Sequence, residues 1–227
     1  GEDLNEDICE RIGRAFARVM TCKTVVTGRD IRDSSAGLQA ALHRGLVAEG
    51  VIVYDIGLCG TEEVYFATDH LNANGGLMVT ASHNPIDYNG IKIVRAGARP
   101  ISGDTGLGDI QAVAEAGEFG ATVSGGAVEA RDPRAAYIKH LAGYVSPEGL
   151  KPLNIVVNAG NGAAGPTFDA LAHTLEVPWT FKRVHHDPDG SFPNGIPNPL
   201  LPENRAATSD AVLANGADLG VAWDGDF

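Results

Sequence analysis

The segment that decides the fold lies at residues 77–94 and reads LMVTASHNPIDYNGIKIV. Its two ends are short apolar runs rich in β-forming residues, and its middle carries an Asn-Pro and an Asn-Gly pair typical of turns. The pattern predicts a strand that delivers its last residues to a polar loop at its carboxyl end, where α/β folds place their ligands. The loop offers the Ser82 hydroxyl, the His83 imidazole and the Asn84 amide, and Lys92 follows it.

Strand-like and helix-like segments alternate from this segment back to the N-terminus. Continuous apolar strands between amphipathic helices indicate an α/β layer with a sheet buried on both faces. The predicted strands are residues 24–26, 51–54, 77–80 and 91–94, and the predicted helices begin after an Asn5 cap, at Ser34 or Ser35, and at Thr61.

A second series of alternating elements follows a Gly-rich stretch that holds one weak helix at residues 107–116. We therefore expect two consecutive mixed α/β layer domains, residues 1–130 and 131–227. The second series comprises a helix at 133–144, a strand at 154–157, a helix opened by the turn at 160–165, a strand at 179–184, a proline-rich loop at 187–202, a helix at 203–215 and a buried strand at 219–223.

Composition excludes several classes of function. Lys and Arg number 17 against 29 Asp and Glu, a formal net charge of −12 that would repel a nucleic-acid backbone. No apolar run approaches the length of a membrane span, and no signal-peptide pattern opens the chain. The three cysteines, Cys9, Cys22 and Cys59, fit neither a disulfide framework nor a zinc site. These features predict a soluble cytoplasmic protein that binds neither nucleic acid nor membrane.

Two interpretations of the loop at Ser82 can be weighed from its residues. An Asn/Pro/Gly turn that merely connects two strands explains its composition as well as an active site does. A Ser-His-Asp hydrolase is a second possibility, but Ser82 lacks the flanking glycines of a nucleophile elbow and its neighbouring His83 cannot easily swing back as the base.

A second candidate site is Asp224-Gly225-Asp226, which follows the last predicted strand. Alternate aspartates on a tight glycine turn can aim two hard oxygen ligands at one point, which suits Mg²⁺. A plain Asp-Gly turn is the alternative.

The turn at residues 160–165 reads GNGAAG and matches the G-x-G-x-x-G pattern of dinucleotide-binding folds. It follows a strand, opens a helix, and has Asp187 beyond the next strand, so NAD binding is one hypothesis. Asp187 begins a proline-rich loop instead of ending its strand, which favours a glycine-rich packing turn.

Arg29 and Arg32 flank the end of the first predicted strand. Their guanidinium groups could bind phosphate, although a surface ion-pair cluster is the commoner explanation for such a run.

The sequence resembles the α-D-phosphohexomutase family at residues 80–85, TASHNP. The resemblance runs along the whole chain, and several motifs occur in the family's order. They are DYNG-x-K at 87–92, GNGAAG at 160–165, the loop from DGSFPN at 189–194 to PEN at 202–204, and DGD at 224–226. Within the family, residues 97–107 look most like bacterial phosphomannomutases.

The resemblance implies four domains around a central cleft, of which this chain provides the first two. It implies that Ser82 is phosphorylated and gives its phosphoryl group to a hexose monophosphate. Asp224 and Asp226 match two of the three aspartates that bind Mg²⁺ together with a phosphoserine oxygen. Lys92 matches the general acid/base.

Four other residues receive supporting roles. His83 matches a residue near the transferred phosphate, and Asn84, Arg29 and Arg32 are expected to bind substrate or phosphate. The implied reaction interconverts mannose 6-phosphate and mannose 1-phosphate, with Mg²⁺ and a hexose 1,6-bisphosphate activator.

Phosphoglucomutase activity, or activity on both sugars, stays open because the family's sugar-selecting loop is not in this chain. The family's strand with its active-site arginine would precede Gly1, and the third metal aspartate would follow Phe227. We therefore expect the 227-residue chain to lack mutase activity by itself.

Overall fold

A computed structural model describes residues 3–227, which divide into two compact units. The units interleave along the chain, because two short loops group with the second unit. The first unit comprises residues up to Arg29, Ser34–Thr80 and Asp87–Pro133, and the second comprises Asp30–Asp33, Ala81–Ile86 and Arg134–Phe227.

The first unit is a mixed six-stranded sheet between helices. Its strands lie in the order β5-β4-β3-β1-β2-β6, with β4 antiparallel to both β3 and β5 and the other neighbours parallel. The elements are α1 (Glu6–Val19), β1 (Thr24–Arg29), α2 (Ser35–Ala48), β2 (Ile52–Leu58), α3 (Thr61–His70), β3 (Gly75–Val79), β4 (Ile91–Arg95), β5 (Arg99–Pro100), α4 (Leu107–Ala116) and β6 (Ala127–Ala130), with short 3₁₀ turns at Ala96–Ala98 and Gly103–Thr105.

Helix α1 forms as its sequence predicts. The side chain of Asn5 accepts a hydrogen bond from the backbone N–H of Ile8 at 3.0 Å, which satisfies one of the donors left free at a helix N-terminus. Phe16 from its apolar face is fully buried in the main core, together with Leu42 and Leu46 of α2. Burial of such side chains stabilises a fold by about 1.5–3 kcal/mol each.

Strand β1 lies at the centre of the first sheet. The chain passes from β1 to β2 on one side, then returns through α3 to β3 on the other side. Strands β1 and β3 end side by side, with Arg29 opposite Val79. Such a reversal of strand order opens a crevice at the carboxyl ends of parallel strands. The loops that follow β1 and β3 carry the residues of interest.

The second unit is built on a parallel three-stranded sheet with the order β8-β7-β9. The chain again moves from the central strand to one neighbour and then to the other, so β7 and β9 flank a second crevice. The elements are α5 (Arg134–Ala142), β7 (Leu153–Asn158), α6 (Ala164–Thr174), β8 (Trp179–Val184), a 3₁₀ turn (Pro202–Asn204), α7 (Ala206–Asn215) and β9 (Leu219–Ala222).

Helices α6 and α7 cover opposite faces of this sheet. Phe168 of α6 contacts Phe181, with ring centroids 5.0 Å apart, and Phe181 pairs in register with Ile155. Asn158 lies three residues further along β7, so its side chain points to the other face, where it donates to Thr208 of α7 at 3.0 Å.

The predicted α/β class is confirmed, and two details of the prediction were wrong. The last strand is not buried, because β9 is an edge strand with Leu219 41% and Val221 37% exposed. The helix predicted at 203–215 begins only at Ala206, after the 3₁₀ turn. Strands β5 and β6 were missed because they are short and mostly exposed, so no run of apolar residues marks them.

Within residues 3–227, none of the helices has both the length and the apolar character that a membrane crossing requires. All three cysteines are buried free thiols, and burial raises the pKa of Cys9 to about 11 and that of Cys22 to about 12.

Candidate active site

The Ser82 loop and the Asp224 loop meet within the second unit. The hydroxyl of Ser82 donates a hydrogen bond to Oδ2 of Asp224. Asp224 follows β9 at the crevice between β7 and β9, and 23% of its side chain is exposed. The fold therefore brings together a hydroxyl and a carboxylate from loops that are far apart along the chain.

His83 lies beside this pair. Its Nδ1 is 3.2 Å from the Ser82 hydroxyl and 3.3 Å from Oδ2 of Asp224. A Ser-His-Asp triad uses the two different ring nitrogens for these two contacts. Because one nitrogen faces both groups here, and Ser82 already contacts the carboxylate directly, the geometry argues against the hydrolase interpretation.

The backbone of Ser82 is left-handed, with a φ of 53°. This conformation is disfavoured for a residue with a Cβ and turns the chain sharply. Both the backbone N–H and the side-chain amide of Asn84 donate to the carbonyl of Ala81, at 2.9 and 3.0 Å. The side-chain amide of Asn84, which was predicted to bind phosphate, therefore also stabilises the sharp turn at Ser82.

Gly225 allows the two loops to approach each other closely. A Cβ at this position would lie 2.6 Å from the carbonyl oxygen of Ser82. Any larger residue would force the serine loop or the aspartate loop to shift. The glycine of the Asp-Gly-Asp sequence is thus required by the serine loop.

Arg32 lies beneath the serine loop. Its guanidinium donates to the carbonyls of Ser82, Asn84 and Pro85 at 3.0, 2.6 and 2.7 Å. Only 1% of its side chain is exposed, and Nε is 3.4 Å from Oδ2 of Asp30. The predicted phosphate-binding role does not fit this geometry, because the guanidinium faces backbone carbonyls and the Asp30 carboxylate and is almost inaccessible to solvent.

The G-x-G-x-x-G turn packs against the aspartate loop. A Cβ on Gly162 would lie 2.8 Å from the carbonyl of Gly225, and that carbonyl accepts the N–H of Ala163 at 3.1 Å. The N–H groups of Asn161 and Gly162 donate to other backbone carbonyls of this unit. Since a dinucleotide site needs such groups free for a pyrophosphate, the geometry favours the packing turn.

Two predicted site residues belong to the first unit. Lys92 lies on β4, where its amine donates to the Thr61 hydroxyl at 3.1 Å. Arg29 ends β1 and is half-buried, and its carbonyl accepts the N–H of Cys59 at 3.0 Å. Thr61 was missed as a partner of Lys92 because its sequence position indicated only a helix start.

The oxygen chemistry of the two loops suits a magnesium ion. A hydroxyl and carboxylates are the hard ligands that Mg²⁺ binds. Ser82 and Asp224 already contact each other, and Asp226 is 2% exposed on the same short loop. Across residues 3–227, no three His, Cys, Asp or Glu side chains cluster as a metal site, so the fit rests on the serine oxygen and these aspartates.

Two further residues of this neighbourhood were not predicted as site residues, although an ion-pair cluster was one interpretation of the run that contains Asp30. Asp30 pairs with Arg32, and the ring of Phe192 lies 5.7 Å from the Arg32 guanidinium carbon. The Asp-x-Arg spacing directly after a strand could have indicated the first pair. Nothing in the sequence links Phe192 to Arg32.

Comparison with known proteins places the chain in a family. Residues 1–120 match the profile of phosphoglucomutase/phosphomannomutase, alpha/beta/alpha domain I, and residues 135–227 match that of domain II. The chain belongs to the phosphoglucomutase/phosphomannomutase family, which confirms the resemblance seen in its motifs.

Individual relatives agree with this assignment. The whole chain is 57% identical to a phosphomannomutase of Salmonella typhimurium and 58% identical to phosphohexose mutases of Xanthomonas campestris, covering 51% and 50% of their lengths. A crystal structure of a phosphoglucomutase/phosphomannomutase family protein from Burkholderia thailandensis matches the whole chain with a TM-score of 0.87 at 34% identity, over 50% of its length. The chain thus spans about half the length of these relatives.

Proposed function

We propose that this chain forms the first two domains, residues 1–130 and 131–227, of a phosphohexomutase that interconverts mannose 6-phosphate and mannose 1-phosphate. The observation that carries the proposal is the contact between the Ser82 hydroxyl, in its left-handed corner, and the Asp224 carboxylate. Relatives that carry the name phosphomannomutase support mannose as the sugar of the substrate.

Ser82 would serve as the phosphoryl carrier. In the first transfer the bond between Ser82 Oγ and phosphorus breaks, a bond forms from phosphorus to a hydroxyl oxygen of the hexose monophosphate, and the hydroxyl proton goes to a base. The hexose 1,6-bisphosphate then turns over and returns its other phosphoryl group to Ser82. Phosphoryl transfer of this kind depends on positioning and charge stabilisation more than on covalent chemistry.

The remaining residues would handle the proton and the charge. By family resemblance Lys92 takes the proton of the acceptor hydroxyl and returns it in the second transfer. His83 lies at the Ser82 oxygen and would donate a hydrogen bond to the transferred group. Arg29 and the Asn84 amide stay assigned to phosphate binding as proposals.

Mg²⁺ would be held by Asp224, Asp226 and an oxygen on Ser82, and when bound it would neutralise charge on the phosphoryl group. The close packing of Gly225 against Ser82 supports this assignment, because it keeps the serine loop and the aspartate loop next to each other.

The test is a mutase assay on the complete gene product, with mannose 1-phosphate, Mg²⁺ and a hexose 1,6-bisphosphate. We expect turnover that disappears in Ser82→Ala and needs more Mg²⁺ in Asp224→Asn. Ser209→Ala, an exposed serine on α7, is the matched control and should keep full activity. Full activity in Ser82→Ala would refute the proposal.

The same assay separates the alternative substrates. Comparing kcat/KM for mannose 1-phosphate and glucose 1-phosphate decides between a phosphomannomutase, a phosphoglucomutase and an enzyme with both activities. Titration with NADH, followed through Trp179 fluorescence, tests the dinucleotide hypothesis, and saturable micromolar binding would revive it.

A further inference from the structure

We propose that Arg32 is a positioning residue that holds the Ser82 corner in its reactive shape, and that Asp30 and Phe192 hold Arg32. This inference rests on the proposed function, because it gives Ser82 the role of phosphoryl carrier. It concerns a contact set that lies wholly within the second unit.

Three carbonyl oxygens converge on one guanidinium in this site. The carbonyls belong to Ser82, Asn84 and Pro85, at 3.0, 2.6 and 2.7 Å from Nη1 or Nη2 of Arg32. An ordinary loop turns its carbonyls toward water, because unpaired backbone oxygens are costly to bury. Here the planar fork of arginine replaces that water and fixes the direction of three peptide groups at once.

The guanidinium is itself fixed from two sides. Asp30 accepts the backbone N–H of Arg32 at 3.0 Å through Oδ1, and its Oδ2 lies 3.4 Å from Arg32 Nε. Phe192 is 5% exposed, and the centroid of its ring lies 5.7 Å from Cζ of Arg32. A buried charge needs such partners, since an unpaired one is expensive to keep out of water.

The consequence concerns the position of the Ser82 oxygen. Ser82 has a left-handed φ of 53°, a conformation that persists only when its surroundings enforce it. The hydrogen bond from Arg32 to the Ser82 carbonyl acts on the peptide group directly attached to that residue. A shift of about 1 Å in a reacting group can lower a rate by roughly 100-fold.

Arg32→Lys in the complete gene product tests the proposal. Lysine keeps the positive charge but cannot supply the planar fork. We expect kcat for mannose 1-phosphate to fall roughly 100-fold while KM changes little, because Arg32 does not touch the substrate. Hydrogen exchange at the backbone N–H of Asn84, which donates to the carbonyl of Ala81, should become faster.

Arg205→Lys is the matched control. Arg205 also donates to two backbone carbonyls of a loop in the second unit, those of Pro199 and Leu200, at 3.0 and 2.6 Å. These carbonyls lie outside the serine loop. In Arg205→Lys, kcat and the rate of hydrogen exchange at the Asn84 backbone N–H should therefore equal those of the unmodified protein.

Asp30→Asn keeps the result decisive if Arg32→Lys does not fold. The amide retains an oxygen for the Arg32 N–H and loses the charge, so we expect a smaller fall in kcat, again without a rise in KM. The proposal would be overturned if the folded variants kept the kcat of the unmodified protein and its rate of hydrogen exchange at the Asn84 backbone N–H. It would also be overturned if kcat fell as much in Arg205→Lys as in Arg32→Lys.

The outcomes also separate this inference from the proposed function. If the unmodified protein has no mutase activity and Ser82 takes no phosphoryl group, the proposed function fails. Asn84 exchange still judges the positioning role in that case, since it reports the loop without any substrate. Unchanged exchange in a folded Arg32→Lys protein would then refute it.

Discussion

The left-handed backbone at Ser82 makes a prediction about stability that can be worked out in advance. Ser82→Ala and Ser82→Gly both remove the hydrogen bond to Asp224, so that loss cancels between them. They differ in the backbone, because alanine at a φ of 53° is disfavoured by about 1–2 kcal/mol and glycine is not. Glycine loses about 0.5–1 kcal/mol more conformational entropy on folding. The balance favours Ser82→Gly by roughly 0.5–1 kcal/mol.

A matched pair at Ser209 should give the opposite order. Ser209 lies within α7, where glycine is about 1 kcal/mol less favourable than alanine. Ser209→Gly should therefore be the less stable of that pair. A reversal of sign between the two positions cannot come from a general effect of glycine on the chain.

Urea denaturation followed by tryptophan fluorescence measures the difference. Both tryptophans of the chain, Trp179 and Trp223, lie in the second unit with the serine loop. With a denaturant slope of about 1–3 kcal/mol per molar urea, the midpoint of Ser82→Gly should exceed that of Ser82→Ala by roughly 0.2–1 M. Equal midpoints, or a higher midpoint for Ser82→Ala, would refute the claim that Ser82 is held in a disfavoured conformation.

Three further outcomes are expected. Gly225→Ala should lower kcat roughly 100-fold, because its Cβ would lie 2.6 Å from the Ser82 carbonyl, whereas Gly103→Ala, with open space around it, should not. Burial lowers the pKa of His43 below its ordinary value of about 6.5, so on acidification the unfolded chain binds a proton before the folded protein does. The free energy of unfolding should therefore fall as the pH drops below about 6.5, and this fall should be smaller in His43→Asn. The raised pKa values of Cys9 and Cys22 predict thiols that iodoacetamide labels at pH 8 only after denaturation.

The sequence predicted the helices and central strands well because their signals are local. The Asn5 cap and the apolar face that includes Phe16 define α1 without any knowledge of its neighbours. β9 shows the limit of that reasoning. Its apolar run indicates a strand, but whether Leu219 and Val221 are covered depends on which elements pack beside them.

The candidate site shows the same difference between what local sequence signals predict and what only the folded chain reveals. Ser82 and Asp224 were predicted as site residues from their motifs, but their direct contact requires the folded second unit. The chemistry of an arginine after a strand suggests phosphate binding, and only the fold reveals that its guanidinium donates to three carbonyls of the serine loop. Phe192 lies 160 residues from Arg32, so no local pattern could connect them.

The most direct test of the phosphoryl carrier follows the transferred group itself. The complete gene product is incubated with hexose 1,6-bisphosphate labelled in its phosphoryl groups, and the peptides are then mapped by mass spectrometry. The account predicts one labelled phosphoryl group per chain on Ser82, lost again when unlabelled mannose 6-phosphate is added. Label on another residue, or no label in a preparation that turns over mannose 1-phosphate, would contradict it.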